Sequence, residues 1–403
     1  SVVIMQRATA YVASRTDCPR KRLSSASCCR AQGPPRCGIA LVECSVAGGF
    51  YPFYPRVHSE IDDAIAEDDI RGMLEFYLTD DTCKQNVERG GCDQASQAGQ
   101  QQEKEALVFV HGFMCELSTA LEKLSLVTML GKMPPHIVPI VFGWSSGNVP
   151  LFFHIKNHSL GYTDDFCSFF GELSAHFRKV HIFCHSMGCQ VWCKNFPLIA
   201  GRCFKEVDYQ AGKRVFTPKL RGDTRMQMEN LILLNAEVTV DEMMDCSAAM
   251  ADYAKLVTLY IDRSDVANFV SQAVQSIMPN SWQHGWRNPE NVHRTVIVGR
   301  ELSDYYMQRE ADHVFLAGKA VGKAYGDSDD DEEIPSHPRS STGSSFNLMG
   351  VIEVIDCTNL DYNAGFARHN YYAINSLMVE DISELVGRGQ PAMQRAHLVK
   401  RER

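Results

Sequence analysis

A short apolar run, a serine within a turn and a helix-compatible stretch follow one another at residues 181–191. A chain that passes from a strand through a sharp turn into a helix forces the turn residue, here Ser186, into a strained backbone conformation. Strand and helix pass close together at such a turn, so the residues two before and two after the serine have to be small. Cys184 and Gly188 hold those positions. The stretch therefore predicts that Ser186 projects its hydroxyl from a sheet edge.

Short apolar runs alternate with amphipathic segments along most of the chain. Strands are predicted at residues 37–46, 106–110, 137–144, 180–184, 231–238, 256–261 and 351–357. Helices are predicted at residues 117–130, 162–178 and 187–198, with another between the strands at 231–238 and 256–261. Fully apolar runs such as residues 106–110 are typical of buried parallel strands. The alternation predicts an α/β fold, with a mainly parallel sheet and helices on both faces.

Composition narrows the classes of partner. The 403 residues carry a net charge of −9, and an acidic run at residues 327–333 contributes much of it, so a broad basic surface for nucleic acid is not expected. No apolar stretch reaches the roughly 18 residues of a membrane helix. The 15 cysteines lack disulfide or zinc spacing, which favours reduced thiols in an intracellular, cytoplasmic protein. The expected partner is a small molecule, and neither a cofactor nor a metal ion is expected.

The expected organisation is one large domain at residues 38–390 between two tails. Residues 1–37 are basic and poor in acids, which predicts a disordered segment and also fits an organelle transit peptide. Insertions are predicted at about residues 203–226, 279–310 and 326–346, the last being acidic and rich in Ser, Pro and Gly. Residues 391–403 are predicted to form a basic tail.

A serine hydroxyl needs a general base within reach and a third group that orients the base. His369 follows the last predicted strand, where such a base is expected. Asp265 lies just beyond the strand at residues 256–261 and is the first choice for the acid, with Asp312 and then Glu237 as alternatives. Asp262 is closer to that strand and is expected to face elsewhere.

A developing oxyanion needs two aimed N–H donors. Met187, directly after the serine, supplies one. Phe113 is expected to supply the other, because Gly112 before it lets the backbone approach the site. His111 is expected to pack against this loop and orient it.

At these residues the chain resembles the uncharacterised α/β hydrolases of the esterase/lipase superfamily, a family grouped as a domain of unknown function. The similar segments are VFVHGF at residues 108–113, FGWSSG at 142–147 and HSMG at 185–188, before which Cys184 replaces a usual alanine. Further positions compatible with the family are Tyr162, Asp165, Tyr260, Asp265, Ile355, Asp356, His369 and Tyr371. Ser145 replaces a usual proline, and Ala236-Glu237 replaces a usual Pro-Asp pair. The resemblance covers about residues 106–389.

The resemblance implies an α/β-hydrolase-like fold with a serine, histidine and aspartate triad, but no defined substrate. Together with the candidate residues it predicts a serine hydrolase that cleaves an ester or thioester, acting on a small acyl ester or lipid-like molecule. The apolar residues 150–155 are a candidate acyl pocket or lid. The alternative hypothesis is a catalytically inactive protein of the same fold that serves as a binding or scaffold module.

Overall fold

The computed structural model describes residues 2–14, 35–47, 54–60, 69–79, 103–144, 146, 163–210, 213–217, 223–277, 299, 314–317, 352–360 and 368–400. The strands are β1 (Val2–Ala13), β2 (Arg36–Ala47), β3 (Tyr54–Glu60), β4 (Glu105–Val110), β5 (Ile137–Gly143), β6 (Lys179–His185), β7 (Glu206–Gln210), β8 (Lys213–Thr217), β9 (Gln227–Leu234), β10 (Ala254–Ile261), β11 (Val314–Ala317), β12 (Ile352–Asp356) and β13 (Leu398–Lys400). The helices are α1 (Ile70–Thr79), α2 (Leu117–Leu130), α3 (Thr163–His176), α4 (Met187–Cys203), α5 (Val240–Tyr253), α6 (Val266–Ile277) and α7 (Ser376–Arg388), with 3-10 turns at Tyr371–Ala373 and Ala392–Gln394.

Eleven described strands form one sheet in the order β13-β11-β12-β10-β9-β6-β4-β5-β1-β2-β3. The strands from β11 to β1 run parallel, and β13, β2 and β3 are antiparallel additions at the two ends. Because neighbouring parallel strands end at the same edge, the loops after β4, β6, β9, β10 and β12 are brought together. This mainly parallel α/β sheet confirms the predicted fold class.

The sheet carries one apolar core on each face, because successive strand residues point to opposite sides. On β4, Val108 packs with side chains of α1, α3, α4 and α5 on one face. Its neighbour Phe109 packs with side chains of α2 and α7 on the other. All six residues of β4 are buried, as expected for a central parallel strand. Helices therefore cover both faces of the sheet.

Several helix ends follow local sequence signals. Thr239 and Glu242 form a reciprocal capping box at the start of α5. Asn375 caps α7 by accepting a hydrogen bond from the Met378 N–H, and Gly389 ends that helix in the left-handed conformation at φ 63°. Among the described helices, none combines the length and apolar character that a bilayer crossing requires.

The N-terminal prediction is wrong for Val2–Ala13, which lies inside the sheet as β1. It pairs in parallel with β5 and antiparallel with β2. The basic residues that suggested disorder are concentrated after Ala13, whereas the twelve residues of β1 are rich in β-branched and small apolar side chains. The composition averaged over residues 1–37 hid this difference. Residues 15–34 lie outside the described part of the chain.

The C-terminal segment is also more ordered than a basic tail. Arg395 is 2% exposed, and its guanidinium contacts Asp381 at 2.7 Å and Glu353 at 2.8 Å. Leu398–Lys400 then pairs with β11 as β13. Composition predicted only a basic tail because the two buried carboxylates that hold Arg395 lie elsewhere in the sequence.

The predicted insertions have different outcomes. Residues 203–226 contain the β7–β8 hairpin, whose Arg214 donates hydrogen bonds to the carbonyls of Ala251 and Ala254. The insertion at 279–310, apart from Gly299, and the insertion at 326–346 lie outside the described residues. The remaining domain boundaries stay predictions.

Candidate active site

Ser186 occupies the turn between β6 and α4 in a conformation that non-glycine residues rarely adopt. Its φ is 54° and its ψ is −124°. The Ser186 N–H donates to the Leu234 carbonyl at 2.9 Å, and the Ser186 carbonyl accepts from the N–H groups of Cys189 and Glu237. Three residues, one each from a strand, a loop and a helix, thus hold the backbone that carries the serine hydroxyl.

Two glycines let the neighbouring chain approach this turn. A Cβ on Gly188 would lie 2.3 Å from the Val110 carbonyl oxygen, so any larger residue would force β4 and α4 apart. A Cβ on Gly112 would lie 2.9 Å from the Ser186 Cβ. The loop after β4 therefore lies directly against the serine.

The two oxyanion candidates occupy the places that the sequence suggested. Met187 is the first residue of α4, and the first N–H groups of a helix lack partners within the helix. Phe113 lies in the loop after β4 and packs against the core on the α4 side of the sheet. The next residue, Met114, has a positive φ of 52°, which turns the loop sharply. The role of both residues remains a prediction.

His111 orients this loop in a single tautomer. Its Nδ1 lies 2.9 Å from the Gly112 carbonyl, and its Nε2 accepts from the Trp144 backbone N–H at 3.2 Å. The indole of Trp144 stacks on the imidazole and donates to the His111 carbonyl at 2.7 Å. Burial lowers the pKa of His111 to about 4. A neutral ring with both nitrogens bound is suited to holding the loop in place.

His369 and Asp265, which lie 104 residues apart, are joined by a short hydrogen bond. The His369 Nδ1 lies 2.6 Å from the Asp265 Oδ2. The other carboxylate oxygen of Asp265 accepts from the Asn268 N–H at 3.0 Å, at the start of α6. The Asp265 side chain is fully buried. With Nδ1 as the donor, the Nε2 of His369 carries a lone pair.

His185 connects this pair to the turn, because it directly precedes Ser186. Its Nε2 lies 2.8 Å from the His369 carbonyl oxygen, and the two rings have centroids 4.7 Å apart. Burial lowers the pKa of His185 well below its usual value, and the neighbouring His369 acts in the same direction. Ser186, His369 and Asp265 are thus gathered at one edge of the sheet. Among the described residues, Ser186 and His369 do not form a side-chain hydrogen bond with each other.

The alternative acids differ in placement. Glu237 is buried and accepts from the Ser271 hydroxyl at 2.9 Å, so its carboxylate is turned toward α6. Asp312 lies outside the described residues. Asp262 is fully buried beside Arg368, and burial raises its pKa to about 6.

Three residues that frame the site, Asn235, Gly299 and Arg368, were missed by sequence reasoning. Asn235 has φ 44°, accepts from the Tyr371 hydroxyl at 2.6 Å and donates to the Arg368 carbonyl at 3.2 Å. Gly299 inserts between the loops after β9 and β10, bonding the Ala236 carbonyl and the Asp262 N–H. Arg368 and Asp262 form an ion pair at 2.8 Å. Only the positions of Asn235 after a strand and Arg368 before His369 gave any signal.

Other residues singled out in the sequence are less central. Tyr260 donates to Asp381 within the buried Arg395 cluster. Asp356 accepts from the Thr358 N–H at 2.9 Å, close to its own strand end. Burial raises the pKa of Cys184 and of Cys189, so the thiols beside the turn are poor competing nucleophiles. Ser145, Tyr162 and residues 150–155 lie outside the described residues.

Residues 93–278 match the model of a family described as alpha/beta hydrolase of unknown function (DUF900). The chain is similar to that family over a little less than half of its length. The hydrolase match confirms the resemblance stated from the sequence motifs and agrees with the parallel sheet described above. It includes Ser186 and Asp265 and ends before His369. No curated protein and no solved structure shows significant similarity to the chain.

Proposed function

We propose that this α/β hydrolase is a serine hydrolase that cleaves an ester or thioester through an acyl-enzyme. The observation that carries the proposal is the combination of the strained Ser186 with the His369–Asp265 pair at the same sheet edge. A serine in an unfavourable conformation persists only where the surrounding structure holds it, and such strain concentrates at functional sites. A histidine oriented by a buried carboxylate supplies the base that the serine needs.

In the proposed first step, the Ser186 oxygen attacks the carbonyl carbon of the substrate while its proton passes to the His369 Nε2. Asp265 holds the Nδ1–H and stabilises the imidazolium that forms. The N–H groups of Met187 and Phe113 hold the negative carbonyl oxygen. The tetrahedral intermediate then expels the alcohol or thiol, which takes the proton from Nε2, and leaves an acyl group on Ser186.

Water completes the proposed cycle along the reverse proton path. His369 takes a proton from the water as it attacks the acyl carbon, and returns that proton to Ser186 when the acid leaves. The Ser186–His369 hydrogen bond has to form for either step. Such bonds are commonly long in a free enzyme and tighten with substrate, so the present geometry is compatible with the mechanism.

The missing hydrogen bond between the Ser186 hydroxyl and His369, two described residues, favours the second candidate, which is an inactive binding module of this fold. An active-site-directed fluorophosphonate separates the two. We expect the wild-type chain to be labelled and Ser186→Ala not to be labelled, with Ser174→Ala as the control because Ser174 bonds Gly171 within α3. A folded wild-type protein that resists labelling would support the inactive module.

A panel of acyl esters tests the substrate class. We expect Ser186→Ala to lower kcat by about 10⁶-fold on any ester that the wild type cleaves. If the acyl site is apolar, as residues 150–155 suggest, kcat/KM should rise with acyl chain length. Equal rates across the panel would remove the lipid-like substrate while leaving ester hydrolysis intact.

A further inference from the structure

Arg368, the residue directly before His369, has a backbone conformation that residues other than glycine rarely adopt. Its φ is 48°, in the left-handed region. The guanidinium is bound on all three nitrogens. Nε donates to the Asp262 Oδ2 at 2.8 Å, and Nη2 donates to the carbonyls of Thr358 at 2.8 Å and Cys357 at 3.0 Å. Nη1 donates to the Leu360 carbonyl at 3.3 Å.

These acceptors come from two different loops. Cys357, Thr358 and Leu360 follow β12, whereas Asp262 follows β10 and stands three residues before the candidate acid Asp265. The Asp262 carboxylate is fully buried, and its second oxygen accepts from the Ser264 N–H at 2.8 Å. The Asp262 carbonyl accepts from the Asp265 N–H at 3.1 Å. One side-chain pair thus ties the loop of the acid to the chain that carries the histidine.

The peptide groups on either side of His369 are held as well. The Arg368 carbonyl accepts from the Asn235 amide at 3.2 Å, and the His369 carbonyl accepts from the His185 ring at 2.8 Å. The His369 side chain can still rotate about χ1 and χ2. The 2.6 Å contact between its Nδ1 and the Asp265 Oδ2 therefore also depends on where the backbone places the His369 Cα. The Arg368–Asp262 pair adds a further contact that holds the same stretch of backbone.

We propose that Arg368 and Asp262 are positioning residues that hold the His369 backbone so that its imidazole meets Asp265 and faces Ser186. This inference rests on the proposed function for its catalytic consequence, but the positioning itself is a property of the folded chain. Neither side chain touches the reacting atoms. Removing either partner would leave the other charge without its counter-ion and would release the loop.

The direct readout is the proton in the His369–Asp265 hydrogen bond. We expect the proton in this 2.6 Å bond to resonate far downfield, and the loss of the resonance in Asp265→Asn assigns it. We expect Arg368→Ala and Asp262→Asn to broaden or shift this resonance in a protein whose circular dichroism is unchanged. Arg71→Ala is the matched control, since Arg71 forms an exposed ion pair with Glu172 on the helical surface.

The kinetic readout uses the best ester of the panel. Misplacement of a catalytic group by about 1 Å costs about 10²-fold in rate, so we expect kcat to fall by that factor with KM unchanged. Arg368→Lys should recover part of the loss, because an ammonium can pair with Asp262 but cannot reach all three carbonyls. The double variant Arg368→Ala/Asp262→Asn should be no slower than Arg368→Ala alone.

The outcomes separate the two proposals. An unchanged proton resonance in both folded variants would overturn the positioning role, whatever the activity. If Arg368→Ala alone is unfolded, Asp262→Asn and Arg368→Lys decide the question by the same resonance. If the wild-type protein has no esterase activity but the variants still lose the resonance, the positioning role is supported and the proposed function is removed.

Discussion

Two buried carboxylate–histidine pairs lie at opposite edges of the same sheet. Glu105 begins β4 and lies 3.0 Å from the Nε2 of His181 on the neighbouring β6, at the amino ends of the parallel strands. Asp265 and His369 meet at 2.6 Å at the carboxyl ends. The two pairs share the same chemical groups, yet only one is placed beside a strained serine.

The pairs differ at the second ring nitrogen. The Nδ1 of His181 accepts from the Asn230 amide at 2.8 Å, and its side chain is 3% exposed. The Nε2 of His369 has no hydrogen-bond partner among the described residues, and that side chain is 13% exposed. A histidine with both nitrogens bound inside the protein has no site left for proton transfer. A carboxylate–histidine contact alone is therefore not enough to propose a catalytic histidine.

The Glu105 pair contributes to stability instead. Burial alone would raise the pKa of Glu105, but hydrogen bonds from His181 and Lys179 outweigh burial and lower the pKa to about 2. Lys179 reaches the other carboxylate oxygen at 2.9 Å. Because the ionised carboxylate is favoured in the folded protein, this cluster stabilises the fold at neutral pH.

The largest expected effect comes from replacing the histidine of each pair by alanine and comparing the two variants. His369→Ala should lower kcat on an ester by about 10⁶-fold, because the serine loses its base, while the free energy of unfolding changes little. His181→Ala should do the opposite. It should lower the free energy of unfolding by about 3 kcal/mol, since Glu105 loses its buried partner, and should keep the kcat of the folded fraction. Urea unfolding and active-site titration measure the two quantities. Equal loss of activity in both variants would end the distinction.

Asp265→Asn is the next largest effect. If the amide oxygen keeps the hydrogen bond from the Asn268 N–H, the amide NH2 faces the His369 Nδ1 and donates to it, so the ring proton moves to Nε2 and the base is blocked. We expect kcat to fall by about 10⁴-fold with little change in KM. Glu237→Gln is the matched control, because that carboxylate accepts from Ser271 rather than from a histidine. A larger loss in the control would transfer the role of the acid to Glu237.

Glu105→Gln tests the structural pair by its pH dependence. The pKa of Glu105 is about 2 in the folded protein and about 4.5 in the unfolded chain, and solvent screening reduces the corresponding stabilisation above pH 4.5 to about 1–2 kcal/mol. That contribution is lost as the pH falls toward 2, so the stability difference between wild type and variant should shrink over that range. Glu229→Gln, at a surface pair with Lys255, should show almost no difference. A difference that stays constant down to pH 2 would contradict the assignment.

Asn230→Leu is the smallest effect. The variant removes the donor to the His181 Nδ1 and a second hydrogen bond to the Leu385 carbonyl at 3.3 Å. We expect a loss of about 1–2 kcal/mol in the free energy of unfolding, with esterase kcat unchanged. If kcat falls with stability, the two edges of the sheet are coupled more strongly than their contacts indicate.

Local signals in the sequence predicted much of the sheet. Strands such as β4 and β10 were found because burial on both faces leaves a largely apolar run within each of them. The strand β1 was missed because a basic segment follows it, and β13 because it is short and its pairing depends on the buried Arg395. Residues 37–46 and 117–130 closely match β2 and α2, whose own side chains carry the pattern.

The candidate site divides in the same way. The turn at Ser186 follows from residues next to each other in the chain, and the order of serine, acid and histidine pointed to Asp265 and His369. The side chains of Asp265 and His369 are in contact in the structure, while their catalytic roles remain predictions. Asn235, Gly299 and Arg368 escaped notice because each acts through a backbone group or charge far away in the sequence.

The sequence by itself determined the alternation of strands and helices and the turn that presents Ser186, because these depend on side chains within a few residues of one another. Only the tertiary structure decided which carboxylate each histidine meets and whether its second nitrogen is occupied. A hydrogen bond acts over about 3 Å, so its partner is chosen by how the sheet brings distant loops together.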